Sequence, residues 1–64
     1  MQGVIDRLKV ERDELFEKLK KLSIFLDSNP NIDEEALGLL WVQEDAMLTY
    51  YSVLVSRIEL MENK

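Results

Sequence analysis

A single short segment, Asp27-Ser28-Asn29-Pro30-Asn31, carries most of the helix-breaking chemistry of this chain. Pro30 lacks a backbone N–H, and its ring disfavours helical geometry at the residue before it, Asn29. The sequences on both sides are rich in Leu, Glu, Lys, Met and Arg, which favour helices. The break therefore predicts two helices joined by one turn.

The expected fold class is all-α, a single domain over residues 1–64 formed by an antiparallel two-helix hairpin. We expect a first helix over about 4–26, a turn over about 27–33 and a second helix over about 34–61. Asp33 is a typical N-cap, and Glu34 and Glu35 after it favour a helix start. A turn this short forces neighbouring helices to run antiparallel.

Each predicted helix has a stripe of seam positions, at alternating three- and four-residue steps, that faces the other helix. In the first helix the seam positions are Ile5, Leu8, Arg12, Leu15, Leu19, Leu22 and Leu26. In the second helix we expect Leu40, Gln43, Met47, Tyr50, Leu54, Arg57 and Met61. Pairing outward from Pro30 places Leu15 near Met47.

Both helices also carry apolar side chains outside these stripes, among them Phe16, Trp41 and Leu48. A chain of 64 residues without cysteine rarely gains more than about 3–5 kcal/mol from its own core. We therefore expect a homo-oligomer, either a four-helix dimer or a larger assembly. The alternative is a monomer with some exposed hydrophobic residues.

Composition argues against several classes of function. The chain has no Cys and no His, so it lacks the usual metal ligands, a thiolate nucleophile and a near-neutral acid or base. Its net charge of −5 disfavours duplex nucleic acid and anionic membranes as partners, and no apolar run is long enough to span a bilayer. We expect a cytoplasmic protein that is not an enzyme and has no cofactor.

The polar residues in the predicted seams, Arg12, Gln43 and Arg57, have two interpretations. They fix helix register and oligomeric state, or they bind a ligand. Arg57 could also pair with Glu11 or Asp6. Tyr50 is the next candidate, because a phenol offers a flat face and a hydrogen-bonding tip, although a tyrosine at seam spacing is more often part of a core.

Residues spread along both helices resemble the pattern of a widespread family of short phage-encoded helical-hairpin proteins. These residues are Arg7, Leu8, Glu11, Leu15, Lys18, Lys21, Leu22, Phe25, Leu39, Leu40, Gln43, Met47, Tyr50, Leu54, Arg57 and Ile58. The most specific part is the second-helix run of Leu-Leu, Gln, Met, Tyr, Leu and Arg-Ile. Characterised relatives of this hairpin class are oligomeric sponges that sequester the cyclic-nucleotide signals of bacterial immune systems such as CBASS and Thoeris.

The resemblance implies an anti-defence protein that binds a small cyclic nucleotide between subunits without cleaving it. The positions that match the family's polar pattern, and are therefore the implied ligand-binding residues, are Arg7, Glu11, Lys18, Gln43, Tyr50 and Arg57. In a sponge, a tyrosine would stack on a base and Arg or Lys would contact phosphate. The alternative is a protein-interaction module that binds a host or phage protein through apolar faces around Phe16 and Trp41.

Overall fold

A computed structural model describes residues 2–63 of the chain as two long helices. Helix α1 spans Gln2–Asp27 and helix α2 spans Glu34–Glu62. The two pack side by side into a narrow hairpin of 47 × 15 × 13 Å. The predicted hairpin is confirmed, and each helix end lies within two residues of the predicted boundary.

The turn between the helices forms where the sequence predicts it. Asn29, two residues after the last residue of α1, has a positive φ of 54°. Asn tolerates this conformation better than most residues. The Ser28 hydroxyl donates a hydrogen bond to the Phe25 carbonyl at 2.6 Å. At the start of α2, the Asp33 carboxylate accepts a hydrogen bond from the Glu35 N–H at 3.2 Å, which makes Asp33 the N-cap.

The seam predicted for α1 is confirmed. Five of its positions are buried, and the other two, Arg12 and Leu22, are half-buried. The buried residues are Ile5, Leu8, Leu15, Leu19 and Leu26.

The seam predicted for α2 is wrong at every second position. Gln43, Tyr50 and Arg57 are exposed, whereas the residues that follow them are half-buried, at Glu44 and Tyr51, or buried, at Ile58. The observed seam is Leu40, Glu44, Met47, Tyr51, Leu54, Ile58 and Met61. This rotation buries the aliphatic side chain of Ile58 and leaves the Arg57 guanidinium in water, which avoids the large cost of desolvating a charge.

The core of the hairpin is small. Leu8 and Leu15 of α1 pack with Leu54 and Ile58 of α2, and Met47, Tyr51 and Met61 border this cluster. Leu54 is the most enclosed side chain, with no exposed surface. The predicted proximity of Leu15 to Met47 agrees with this cluster.

Candidate functional site

The seam separates two long edges of the hairpin. Lys9 follows the seam residue Leu8, Glu62 follows Met61, and the Nζ of Lys9 lies 2.8 Å from Oε2 of Glu62. Residues that follow seam positions therefore meet on one edge. Because antiparallel helices are related by a local two-fold axis, residues that precede seam positions meet on the opposite edge.

All six residues implied by the family resemblance lie on that opposite edge. Each directly precedes a seam residue of its helix, so one face of the hairpin presents the whole set. They are Arg7, Glu11, Lys18, Gln43, Tyr50 and Arg57. Glu11 is half-buried and the others are exposed.

Charge is unevenly distributed between the two edges. The edge with the six residues also carries Lys21 and Glu14, which likewise precede seam positions. We call it the basic edge, because Arg7, Lys18, Lys21 and Arg57 there outnumber Glu11 and Glu14. The opposite edge holds two lysines, Lys9 and Lys20, and six acids, Asp6, Asp13, Asp27, Asp45, Glu59 and Glu62. A protein of net charge −5 thus has one edge of positive charge.

The cations of the basic edge are not neutralised by ion pairs. Within residues 2–63, none of Arg7, Lys18, Lys21 and Arg57 forms a salt bridge. The sequence-based pairing of Arg57 with Glu11 or Asp6 is therefore not formed. Guanidinium and ammonium groups without partners can donate charge-assisted hydrogen bonds to an anion.

Tyr50 supplies a flat surface next to these cations. Its side chain is 43% exposed. The contact of Lys9 with Glu62 and that of Phe16 with Tyr51 set the helix register, which places Lys18 at the level of Tyr50 to within one turn. Arg57 lies two turns further along α2, about 10 Å away along the axis. The three side chains therefore lie along one stretch of the basic edge.

Gln43 and Arg12 have local partners. The Gln43 amide Nε2 donates to the Met47 sulfur over 3.9 Å, a weak bond that leaves the side chain at the surface. Arg12 keeps its seam position, but its Nε donates to Oδ1 of Asp13 at 3.0 Å. This hydrogen bond raises the pKa of Arg12. Arg12 thus bonds to a neighbour on its own helix rather than to one across the seam.

Lys21 is not among the six implied site residues, but it lies on the basic edge as well. It stands three residues after Lys18, which puts the two ammonium groups on the same face of α1.

The other edge contains an open groove of about 640 Å³. Its walls are mostly apolar, with one lysine and one glutamate. The lining residues are Phe16, Leu19, Lys20, Ser23, Ile24, Glu44, Leu48 and Tyr51. The rings of Phe16 and Tyr51 lie 5.8 Å apart between centroids, tilted by 41°. We call this side the groove edge; its acidic surroundings disfavour an anionic ligand.

Between residues 2 and 63, neither helix is long and apolar enough to cross a membrane.

The family model described as Sequestin matches residues 2–60, nearly the whole chain. No curated protein and no solved structure matches.

Proposed function

This chain belongs to the Sequestin family, and on that premise we propose that it is a homo-oligomeric sponge that sequesters a small cyclic nucleotide along its basic edge. The family name itself fits a protein that binds and holds another molecule. The nucleotide is an immune signal of a bacterial host, and the protein acts in the host cytoplasm as a phage-encoded anti-defence factor. It binds the signal without cleaving it.

The charge of the basic edge is the observation that supports a nucleotide best. Four cations that form no salt bridge among the described residues 2–63 stand on one side of a protein whose net charge is −5. Such clustering has no role in packing the hairpin, because all four side chains are exposed. Unpaired Arg and Lys side chains are the usual partners of phosphate groups.

The arrangement of side chains also suits a base. The exposed ring of Tyr50 lies at the level of Lys18, and Arg57 stands two turns further along α2. A base stacked on this ring would bring its phosphates toward these cations. Stacking of a base on an aromatic side chain contributes about 1–3 kcal/mol. Glu11 and Gln43 on the same edge can accept hydrogen bonds from base N–H groups.

Sequestration requires binding and slow release, and it requires no catalytic group. The basic edge offers Arg, Lys, Tyr, Gln and Glu side chains on an open surface rather than in a closed cleft. These groups recognise charge and shape, and in this proposal no bond of the ligand is broken.

A thermal-shift screen tests the proposed ligand class. The purified protein is heated with cyclic dinucleotides, cyclic trinucleotides and cyclic ADP-ribose variants, and with linear nucleotides as controls. A ligand at about 100 times its Kd stabilises the folded state by ~2.7 kcal/mol, and each kcal/mol raises the Tm of a small domain by roughly 4–8 °C. We expect a rise of about 10 °C or more for one cyclic compound and none for its linear counterpart.

The outcome that would overturn the proposal is an unchanged Tm across the whole panel for a protein that is folded and helical by circular dichroism. A rise of equal size with linear nucleotides would contradict the cyclic specificity, because it would indicate general phosphate binding.

A further inference from the structure

We infer that the groove edge is the self-association surface of this protein: two copies pack groove against groove about a two-fold axis, with Lys20 of each facing Glu44 of the partner subunit. The inference rests on the proposed homo-oligomer and specifies its interface.

The apolar content of the groove edge exceeds what the hairpin itself can cover. Phe16 and Leu48 are each 49% exposed, and Ile24 is 62% exposed. Trp41, at 46%, stands seven residues before Leu48 and extends the same edge toward the turn. Phe16, Ile24 and Leu48 line the groove together with Tyr51. A large aromatic-rich patch of this kind is characteristic of a protein interface.

The protomer exposes more surface than a compact protein of its size, and the excess is about the area that one interface buries on each partner. A compact protein of 7.5 kDa is expected to expose about 4,200 Å². This hairpin exposes 5048 Å², roughly 800 Å² more. A standard interface buries about 800 Å² on each partner. One additional copy of the chain on one edge would therefore bring the protomer to the exposure of a compact protein.

Charge distinguishes a second copy from other occupants. The lining of the groove includes one cation, Lys20, and one anion, Glu44, and within residues 2–63 neither of them forms an ion pair. In a two-fold interface, Lys20 of one copy can lie opposite Glu44 of the partner subunit, and symmetry repeats the same contact. Both charges are then paired across the interface. The basic edge cannot pair with itself in this way, because its excess of cations would repel a second copy.

The dimer assigned here keeps the basic edge accessible. The groove edge and the basic edge lie on opposite sides of the seam, so a groove-to-groove dimer directs its two basic edges outward. Each dimer then presents two equivalent nucleotide sites, one on each protomer, and neither is covered by the interface.

Cross-linking through single cysteines tests the interface directly, because the chain has no cysteine of its own. Ser23→Cys places a thiol in the groove, whereas Ser56→Cys places one on the outer face of α2 as a matched control. Association raises the effective concentration of facing thiols, so a short bismaleimide should link Ser23→Cys into a covalent dimer at least about tenfold faster than Ser56→Cys. Equal rates would overturn the inference.

A second pair of variants measures the mass of the assembly. The wild-type protein should sediment at twice the protomer mass of 7.5 kDa. Leu48→Glu puts a charge in the groove and should raise the dimer Kd by about tenfold or more. Val42→Glu adds the same charge at an outer position that is 65% exposed and should leave the mass unchanged. Circular dichroism checks that both variants remain helical.

The two proposals fail in different ways. A wild-type protein that stays monomeric at all concentrations overturns the groove dimer and the proposed homo-oligomer. It does not contradict nucleotide binding along the basic edge of each protomer, and it makes the groove available to a foreign protein. A larger assembly that Leu48→Glu does not weaken also overturns the groove dimer. A dimer that shows no thermal shift with any nucleotide supports the interface and contradicts the proposed ligand.

Discussion

Leu54→Ala is expected to lower the free energy of unfolding by about 3 kcal/mol and to unfold a large part of the protein near room temperature. Leu54 has no exposed surface and lies at the centre of the only cluster of buried residues within residues 2–63. Removing most of its side chain leaves a cavity between the two helices. Since the core of so small a chain supplies only about 3–5 kcal/mol, little stability would remain.

Urea denaturation followed by circular dichroism measures this loss. Val42→Ala is the matched control, because it shortens an aliphatic side chain of the same helix that faces solvent; it should change stability by less than about 0.5 kcal/mol. All samples need the same protein concentration, because self-association stabilises the folded state. A loss below about 1 kcal/mol for Leu54→Ala would mean that the core does not lie where the structure places it.

Arg57→Ala is expected to weaken binding of the cyclic nucleotide by about 10- to 100-fold while leaving the fold intact. A hydrogen bond to a charged group is worth about 1.5–3 kcal/mol, which corresponds to that range of Kd. The side chain is exposed and forms no salt bridge with a described residue, so its removal creates no cavity. Titration calorimetry measures the Kd, and circular dichroism measures the helix content.

Lys9→Ala supplies the control for charge. It removes a cation from the groove edge, where Lys9 pairs with Glu62, and it changes the net charge by the same amount as Arg57→Ala. Binding should be almost unaffected. Equal losses for both variants would indicate that only overall charge matters. If Arg57→Ala unfolded the hairpin, its role would be structural, as the sequence-based seam had suggested.

The sequence predicted the hairpin well because the information was local. The residues around Pro30 specify the break, and Asp33 specifies the start of α2. In α1 a stripe that is mostly leucine predicts the seam, although the sequence leaves open whether Arg12 or Glu11 faces α2. Each of these features acts within one or two helical turns, so no knowledge of tertiary contacts was needed.

The seam of α2 was not predictable to the same degree. Tyr50 stands beside Tyr51, and Arg57 stands beside Ile58, so two stripes that share Leu40, Met47, Leu54 and Met61 were both possible. The choice between them depends on burial against α1, where Ile58 gains free energy and Arg57 would lose it. The spacing of apolar residues within α2 does not show which of the two stripes packs against α1.

The candidate site required both the family resemblance and the observed seam of α2. The six residues were chosen by their resemblance to a family pattern, and only the corrected seam of α2 places them on one edge. With Gln43, Tyr50 and Arg57 in the core, as first expected, half of the set would have been unavailable to a ligand. The clustering of positive charge on that edge was likewise not apparent until both seams were known.

The most direct test of sequestration measures whether the protein retains a nucleotide and releases it on denaturation. The protein, in molar excess, is incubated with each cyclic nucleotide, and the free nucleotide is separated by ultrafiltration and quantified by mass spectrometry before and after the sample is heated. We predict that one cyclic nucleotide disappears from the filtrate and returns, chemically unchanged, after heating. A filtrate that is never depleted, or a nucleotide that returns as a hydrolysed product, would contradict the account.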